Sequence, residues 1–399
     1  MRNQESSIQY MRGNQAAAEA ARLARIEFMG AYPIPPSSEI MEHIRTFIEE
    51  GQLKAGFIEA DGEKSAQMAC YAAAFSGCRT LNATSSQGLL YMHEANHMIA
   101  GSFLPMLLVV GNRSCFAPHG MEADHTDSIS QRDTGWLQLY CETVQEVFDD
   151  VIQGYKIIQN PDVMLPMFVC QDGYLLTHSM GHIACPTQEE VDAFLPPYQP
   201  GETDYVKPGG LPLATSLGVM DQWFTEFKYQ QWMKEGNALQ VIEDVDAEFG
   251  RHFGRSYGGL LEAYRVDDAE VVMIGMGSVV ATIRFTVDIM RSAGKKVGMV
   301  KIRAFRPFPK DKLAQVIAGS SSKMIVVAEK TFYGAVFDEV RSALYGLDNA
   351  PGILGFGVGL NGRNVDPYNI IDLFEQGFKN IGNKNIPSRS QIYFVRKKN

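Results

Sequence analysis

The sequence lacks the features that mark metal-binding, membrane and nucleic-acid-binding proteins. No two of its six cysteines form a CxxC pair, so neither a zinc ribbon nor an iron–sulfur cluster held by this chain alone is expected. The longest apolar run covers residues 103–110 and is far shorter than the roughly 20 residues of a membrane helix. Lys and Arg number 36 against 46 Asp and Glu, which leaves no positive excess for nucleic-acid phosphates. These absences, with no signal-peptide pattern in residues 1–15, favour a cytoplasmic globular protein with reduced thiols.

Common catalytic and nucleotide-binding motifs are missing as well. The chain has no P-loop, GxSxG, HExxH or GDGx-type diphosphate and magnesium motif. A GxG at residues 275–277 follows a predicted strand, but Val280 replaces the third glycine of a dinucleotide fingerprint, which favours a simple tight turn. His119 and His125 lie in an acidic loop, yet their spacing fits no standard ligand pattern, so no metal site is predicted.

The composition is that of a globular protein, and the 399 residues are enough for two or three domains. Up to about residue 175, short apolar runs alternate with helical stretches. Strands are predicted at residues 30–34, 56–58, 80–83, 105–110 and 165–170, and helices at 16–27, 39–49, 63–75, 89–99 and 143–158. This alternation predicts βαβ units and an open parallel sheet, whose ligands gather at the carboxyl ends of the strands.

A connector and a second alternating unit follow. Residues 186–212 contain six prolines, which predict an extended connector because proline fixes φ and removes a backbone donor. A long helix is predicted over residues 222–264, with an interruption at 250–259. Further strands are predicted at 270–274, 296–302, 323–327 and 353–357, and helices at 278–293, 309–318 and 335–345. The expected organisation is an α/β domain at 1–185, a connector and helical bridge at 186–266, and a second α/β domain at 267–399.

Three acids crowd the turn after the second predicted strand: Glu59, Asp61 and Glu63. Acids held close together raise one another's pKa, which suits acid–base chemistry, although a solvated loop explains the same residues. The turn at residues 32–38, after the first strand, is rich in proline and is expected to be rigid.

Polar residues also follow the next two strands. Thr84 and Ser85 begin a hydroxyl-rich turn that either caps the following helix or holds a ligand. Arg113 follows the most apolar strand, so its guanidinium is placed at the rim of the sheet. There it could bind a carboxylate through two parallel hydrogen bonds, or be an ordinary surface arginine.

Taken in order, these turns resemble one family over nearly the whole chain. The resemblance rests on the turn 32–38, Glu59 with Glu63, the motif 84–89, His93-Glu94, Arg113, Asp127-Ser128, the motif 131–136, and the motifs 275–278 and 305–309. Together they resemble the alpha subunit of the 2-oxoacid:ferredoxin oxidoreductases, the pyruvate and branched-chain 2-oxoacid enzymes. No single motif is specific, but the ordered set is.

The resemblance implies a thiamine-diphosphate enzyme spread over several chains. The alpha subunit of this family supplies a pyrimidine-binding domain and a domain like the C-terminal one of transketolase. A beta subunit is implied to bind the diphosphate with Mg²⁺, while gamma and ferredoxin-like subunits carry iron–sulfur clusters and pass electrons to ferredoxin or another acceptor. The missing diphosphate motif and the missing cluster cysteines agree with this division.

Individual residues then acquire implied roles. Glu63 matches the family's acid, which hydrogen-bonds the pyrimidine ring nitrogen and so promotes loss of the thiazolium C2 proton. Thr84 and Ser85 are expected beside the cofactor, and Arg113 matches the arginine that binds the substrate carboxylate. Pro35 stands where the family's turn has a threonine, and this loss of a hydroxyl donor makes pyruvate a less expected substrate.

The predicted activity is therefore oxidative decarboxylation of a 2-oxoacid to its acyl-CoA, with a bulky acid such as phenylglyoxylate favoured over pyruvate. Pyruvate, a branched-chain 2-oxoacid or oxalate remain alternative substrates. A non-catalytic scaffold subunit is a second hypothesis, and the presence of Glu63 and Arg113 argues against it. A self-contained transketolase-like transferase is a third, and the missing diphosphate motif disfavours it.

Overall fold

The computed structural model describes residues 7–201, 206 and 221–393, and over this range the chain forms two α/β units joined by a long helix. The strands are β1 (Ser7–Arg12), β2 (Phe28–Ala31), β3 (Gly56–Glu59), β4 (Thr80–Thr84), β5 (Leu107–Asn112), β6 (Leu137–Tyr140), β7 (Met167–Asp172), β8 (Met180–Cys185), β9 (Leu261–Tyr264), β10 (Val271–Met276), β11 (Val297–Ile302), β12 (Ala304–Arg306), β13 (Met324–Glu329), β14 (Gly352–Gly357) and β15 (Gln391–Ile392). The helices are α1 (Gly13–Leu23), α2 (Ser38–Glu49), α3 (Glu63–Phe75), α4 (Ser86–Tyr91), α5 (His93–Gly101), α6 (Thr126–Ile129), α7 (Val144–Ile158), α8 (Gln188–Phe194), α9 (Asp221–Phe253), α10 (Val279–Ser292), α11 (Lys310–Ala318), α12 (Ala335–Ala343) and α13 (Pro367–Lys379).

Two mostly parallel sheets form the framework of the described residues. The first has the strand order β12-β6-β7-β5-β4-β2-β3, and the second has the order β15-β14-β13-β10-β11-β9. Each sheet carries one antiparallel edge strand, β12 paired with β6 in the first and β9 paired with β11 in the second. The predicted α/β class with open parallel sheets is confirmed.

The central strands are continuous apolar runs because helices cover both faces of each sheet. Every residue of β5, β7, β10, β11 and β13 is buried. Helix α7 packs against α1 and is buried along nearly its whole length. Such rigid layers fix the positions of the loops that leave the carboxyl ends of the strands.

The structure differs from the sequence predictions in several places. The helix predicted at 89–99 is two helices, α4 and α5, which meet at Met92. The predicted extended connector at 186–212 contains α8, whose start is fixed by a capping box between Thr187 and Glu190. Residues 202–205 and 207–212 of that connector lie outside the described residues.

The helical bridge between the two units is shorter than the sequence pattern over residues 222–264 predicts. Helix α9 ends at Phe253, where Gly254 adopts a left-handed backbone conformation with φ of +71°. Residues 261–264, predicted as helix, instead form β9 and join the second sheet through β11. Long-range pairing therefore overrides the local helical pattern in this segment.

Buried ion pairs connect the end of β11 to α7. Lys301 on β11 donates to both carboxylate oxygens of Glu146 at 2.7 and 2.8 Å. Arg303, which is fully buried, donates to Asp150 at 2.5 Å. Removing one partner of such a pair would leave an uncompensated buried charge, so these contacts hold the two units in one arrangement.

Within the described residues, no helix combines the length and the apolar character needed to cross a bilayer.

Candidate active site

Loops from four neighbouring strands meet at the carboxyl edge of the first sheet, and the candidate residues lie there. Glu63 is the first residue of α3, immediately after the short loop that follows β3. Its side chain is half-buried, and no described residue forms a hydrogen bond or ion pair with its carboxylate. A carboxylate near a helix N-terminus is favourably placed as an ion, yet this one keeps both oxygens available for a ligand.

The other two acids of the crowded turn do not share this position. Glu59 is exposed and pairs with Arg45 of α2. Asp61 is also exposed. Glu63 is therefore the only one of the three acids whose side chain is partly buried.

Gly88 brings the Glu63 carboxylate close to a buried hydroxyl. A β-carbon built on Gly88 would lie 2.5 Å from Thr84 Oγ1 and 2.9 Å from Glu63 Oε1. Only glycine fits at this position without displacing a neighbour, because both polar groups occupy the space that a β-carbon would fill. Thr84 Oγ1 is buried and has no hydrogen-bond partner among the described residues. The site therefore combines an unpaired carboxylate with an unpaired hydroxyl.

Ser85 lies beside them, but its hydroxyl is already engaged within the protein. Its Oγ is 2.6 Å from Ser37 Oγ, and Ser37 Oγ donates to the carbonyl of Thr84 at 2.8 Å. Because Ser37 uses its single proton on that carbonyl, Ser85 must be the donor between the two hydroxyls. Ser85 thus ties the turn after β2 to the loop after β4.

Arg113 enters the site from the loop after β5. It is only 5% exposed, and burial lowers the pKa of its guanidinium, while the nearby carboxylates of Asp127 and Glu63 oppose that change. Its Nη1 donates to the carbonyl of Pro35 at 2.6 Å and its Nη2 to Gln87 Oε1 at 3.0 Å. Arg113 Nε is buried without a partner among the described residues. The turn therefore contacts Arg113 through the main-chain carbonyl of Pro35, while the ring of Pro35 is exposed.

Asp127 is a central residue of the site that the sequence interpretation did not assign. Its carboxylate is fully buried and accepts from the backbone N–H groups of Ser86 and Arg113, both at 2.9 Å. It also accepts from Asn112 Nδ2 at 2.8 Å and from the N–H of Ser128 at 2.7 Å. Burial raises the pKa of Asp127 to about 6, although these donors favour the charged form. One carboxylate therefore fixes the loops after β4 and β5 relative to each other.

A second buried cluster joins this edge to the second unit. His125 Nε2 lies 2.6 Å from Asp172 Oδ1, and Lys330 Nζ donates to Asp172 Oδ2 at 2.5 Å. Ser278 donates to the same carboxylate and accepts from Lys330 at 2.8 Å. Burial opposes ionisation of Asp172, but Lys330 and His125 outweigh it and hold the pKa of Asp172 well below its usual range. Accordingly, His125, a histidine considered for metal binding, contributes instead to an ion cluster between the units.

Known proteins resemble this chain in sequence and in fold. A family model described as pyruvate flavodoxin/ferredoxin oxidoreductase, thiamine diphosphate-binding, matches residues 19–247. A second, described as core domain II of pyruvate:ferredoxin oxidoreductase, matches residues 269–370.

Two curated relatives illustrate the sequence similarity. The pyruvate synthase subunit PorA of Methanocaldococcus jannaschii is 40% identical over 364 residues, which cover 90% of this chain and 92% of the relative. The ketoisovalerate oxidoreductase subunit VorA of Pyrococcus horikoshii is 40% identical over 358 residues, covering 88% and 89%. These names refer to pyruvate and ketoisovalerate, so they do not support the expectation of phenylglyoxylate.

Solved structures share the fold. A 2-oxoglutarate:ferredoxin oxidoreductase from Magnetococcus marinus, with 2-oxoglutarate, coenzyme A and succinyl-CoA bound, superposes with a TM-score of 0.74 at 20% identity. The match covers 94% of this chain and 66% of that chain. A split-gene transketolase in an inactive beta4 tetramer matches with a TM-score of 0.51 at 10% identity, over 92% of this chain and 98% of that one.

Proposed function

This chain belongs to the alpha subunits of the 2-oxoacid:ferredoxin oxidoreductases, and we propose that it supplies one half of a thiamine-diphosphate site for oxidative decarboxylation of a small 2-oxoacid. The observation that carries the proposal is that one sheet edge holds both the Glu63 carboxylate, which has no partner among the described residues, and the buried guanidinium of Arg113. The pyrimidine ring of the cofactor needs an acid beside its ring nitrogen, and the carboxylate of a 2-oxoacid needs a cation that binds it. Asp127 and Gln87 link the loop of Arg113 to the start of α4, whose Gly88 lies against Glu63.

The residues at this edge fit the pyrimidine half of thiamine diphosphate. Thr84 Oγ1 is buried without a partner among the described residues, and the Glu63 carboxylate lies beside it at Gly88. An aminopyrimidine carries both donors and acceptors, which would satisfy these two groups. When bound, the cofactor supplies the nucleophilic carbon and the electron sink that decarboxylation of a 2-oxoacid requires. Glu63 would hold a proton at the pyrimidine ring nitrogen, and Thr84 would orient the ring.

Arg113 would bind the carboxylate of the substrate. A guanidinium offers planar, paired donors, and burial strengthens each hydrogen bond by excluding water. Pro35 and Gln87 already hold two of its nitrogens, so little side-chain entropy remains to be lost when substrate binds. The similarity to the pyruvate and ketoisovalerate subunits favours a compact aliphatic acid, with pyruvate and 2-oxoisovalerate as the first candidates.

Other chains would complete the enzyme. The sequence has no GDGx-type diphosphate motif, so we assign the diphosphate and its Mg²⁺ to a beta subunit. Gamma and ferredoxin-like subunits would carry iron–sulfur clusters, and coenzyme A would receive the acyl group. Ferredoxin is the proposed electron acceptor. Within this chain we assign residues 1–185 to the pyrimidine-binding domain, 186–266 to the connector and bridge, and 267–399 to the transketolase C-terminal-like domain.

The experiment is purification of the native complex followed by steady-state assays with pyruvate, 2-oxoisovalerate, phenylglyoxylate and oxalate. We expect CoA-dependent reduction of ferredoxin or a viologen dye with pyruvate or 2-oxoisovalerate. Turnover of oxalate without CoA, or a preference for phenylglyoxylate, would contradict the proposed substrate class. The isolated chain should show no turnover and weak thiamine-diphosphate binding by calorimetry, since half of the site would be missing. Tight binding to the isolated chain with Mg²⁺ would contradict the division of the site between two chains.

A further inference from the structure

Gln87 lies between the proposed cofactor acid and the proposed substrate cation, and neither the sequence motifs nor the comparisons assign it a role. It is the second residue of α4 and precedes Gly88, the glycine that lies against Glu63. Its Oε1 accepts from Arg113 Nη2 at 3.0 Å. Its Nε2 is buried and has no hydrogen-bond partner among the described residues.

The contact with Arg113 determines which end of the amide points where. A guanidinium has donors only, so the amide atom that faces it must be the oxygen. Ser86 Oγ lies 2.5 Å from the same oxygen and 2.7 Å from the carbonyl of Ser114, so its single proton serves either acceptor without involving Nε2. Rotating the amide by 180° would bring its NH₂ against the guanidinium. The NH₂ group is thus the end that remains for a ligand.

Three buried polar atoms at this edge therefore have no hydrogen-bond partner among the described residues: Thr84 Oγ1, Gln87 Nε2 and Arg113 Nε. A buried donor without an acceptor destabilises the protein, so such a group is usually satisfied by a ligand or ordered water. Gln87 and Arg113 are joined by the hydrogen bond from Nη2 to Oε1, and Gln87 Nε2 and Arg113 Nε both still need acceptors. A carboxylate has two acceptor oxygens with about four lone-pair positions, which can serve both residues at once.

We propose that Gln87 is a substrate-binding residue, whose Nε2 donates to the carboxylate of the 2-oxoacid beside Arg113. This inference rests on the proposed function. An amide suits the position because it accepts from Arg113 with one atom and donates to the substrate with the other. A lysine or arginine there would repel the guanidinium, and an acid would repel the substrate. Because its Oε1 accepts from Arg113, Gln87 also orients the guanidinium. A double variant separates this effect on Arg113 from the direct contact between Nε2 and the substrate.

The test uses the whole purified complex with four variants: Gln87→Met, Arg113→Met, the double variant and Gln52→Met as the control. Methionine keeps the length of glutamine but has no N–H donor. Gln52 is exposed, beyond α2 at the opposite end of the strands, so its replacement matches the chemistry without touching the site. The measurements are kcat and KM for pyruvate or 2-oxoisovalerate in dye reduction, and the affinity for oxamate, an unreactive carboxylate analogue of pyruvate, by calorimetry. Co-elution of the partner chains and the midpoint of thermal unfolding establish that each variant is assembled.

We expect Gln87→Met to lower kcat/KM about 10- to 100-fold, mainly through KM, and to weaken oxamate binding to a similar extent, as loss of a hydrogen bond to a charged group does. In the Arg113→Met background, loss of Gln87 should lower kcat/KM at least about threefold further, because its Nε2 contacts the substrate directly. An unchanged kcat/KM in that background would mean that Gln87 acts only through Arg113, and would overturn the proposal. So would a Gln87→Met complex within twofold of wild type. A wild-type complex that turns over no 2-oxoacid and binds no oxamate would instead contradict the proposed function itself.

Discussion

Replacing Gly88 with alanine is expected to displace the Glu63 carboxylate while leaving the fold intact. The added β-carbon would lie 2.7 Å from Glu63 Cγ and 2.9 Å from Glu63 Oε1, whereas ordinary contacts begin at 3.4 Å. Thr84 Oγ1, at 2.5 Å, belongs to a strand and can relieve its contact only by rotating its side chain. The Glu63 side chain is the more flexible neighbour, so it should move by at least about 0.5 Å.

A displacement of this size should lower the rate of the proton-transfer step by about 10- to 100-fold, or roughly 1.4–2.7 kcal/mol of transition-state free energy. Global stability should change little. Alanine favours a helix over glycine by about 1 kcal/mol, and this gain offsets part of the steric strain. The predicted result is therefore a well-folded complex with a slow catalytic step.

The assay is deuterium exchange at thiazolium C2 of thiamine diphosphate in the assembled complex without substrate, followed by acid quench and NMR. This measurement is independent of substrate binding and electron transfer. Gly101→Ala is the matched control, because a β-carbon at Gly101 meets no atom within 4 Å. Exchange in the Gly88→Ala complex within twofold of wild type would refute the reasoning, since Glu63 would then not be held where Gly88 places it.

Four further predictions concern single side chains. Glu63→Gln should slow C2 exchange and turnover at least about 100-fold with the complex still assembled, because glutamine cannot act as the ionised partner; near-normal exchange would exclude Glu63 as the acid. Arg113→Lys should raise the KM for the 2-oxoacid about tenfold or more in steady-state assays, since an ammonium cannot form two parallel bonds to a carboxylate, and an unchanged KM would place Arg113 outside the site. Pro35→Thr should raise kcat/KM for pyruvate relative to 2-oxoisovalerate by about threefold to tenfold, the effect of one added hydroxyl donor, and a ratio that stays constant would show that the turn does not reach the substrate. Burial raises the pKa of Glu329 to about 8 from an ordinary value of 4.5. Its contribution to the free energy of unfolding is therefore fully present below the pKa of the unfolded state and is lost as the pH rises toward 8. Glu329→Gln should flatten the pH dependence of chemical unfolding between pH 5 and 8, whereas the exposed control Glu49→Gln should not.

Much of the fold was predictable because its determinants are local. The helix predicted at 63–75 is α3 with the same bounds, and most predicted strands of the two sheets differ from the observed ones by about two residues. The strands at one end of each sheet are different. β6 and β12 are short and pair with each other from positions more than 160 residues apart, so no local pattern marks them. β9 carries a helical pattern, and only its pairing with β11 makes it a strand.

The candidate site was partly predictable for a related reason. The rule that ligands gather at the carboxyl ends of parallel strands brings Glu63, Thr84 and Arg113 together, and the structure places all three at one edge. The same rule says nothing about which partner each side chain chooses. Ser85 had the right position for a ligand contact, yet Ser37, 48 residues away, takes its hydroxyl proton.

The residues that organise the site were missed because they act through backbone atoms. Asp127 holds two loops by accepting from the N–H groups of Ser86 and Arg113, which carry no residue-type signature in the sequence. Pro35 contacts Arg113 through its carbonyl, a main-chain interaction that a comparison of side chains with the family's threonine cannot anticipate. A guanidinium fixed on one side by a main-chain carbonyl and on the other by Gln87 keeps its orientation whatever side chain the turn presents. The width of the acyl pocket would then depend on residues that contact the other end of the substrate, and the proposed division of the site between two chains would place some of those residues in the beta subunit.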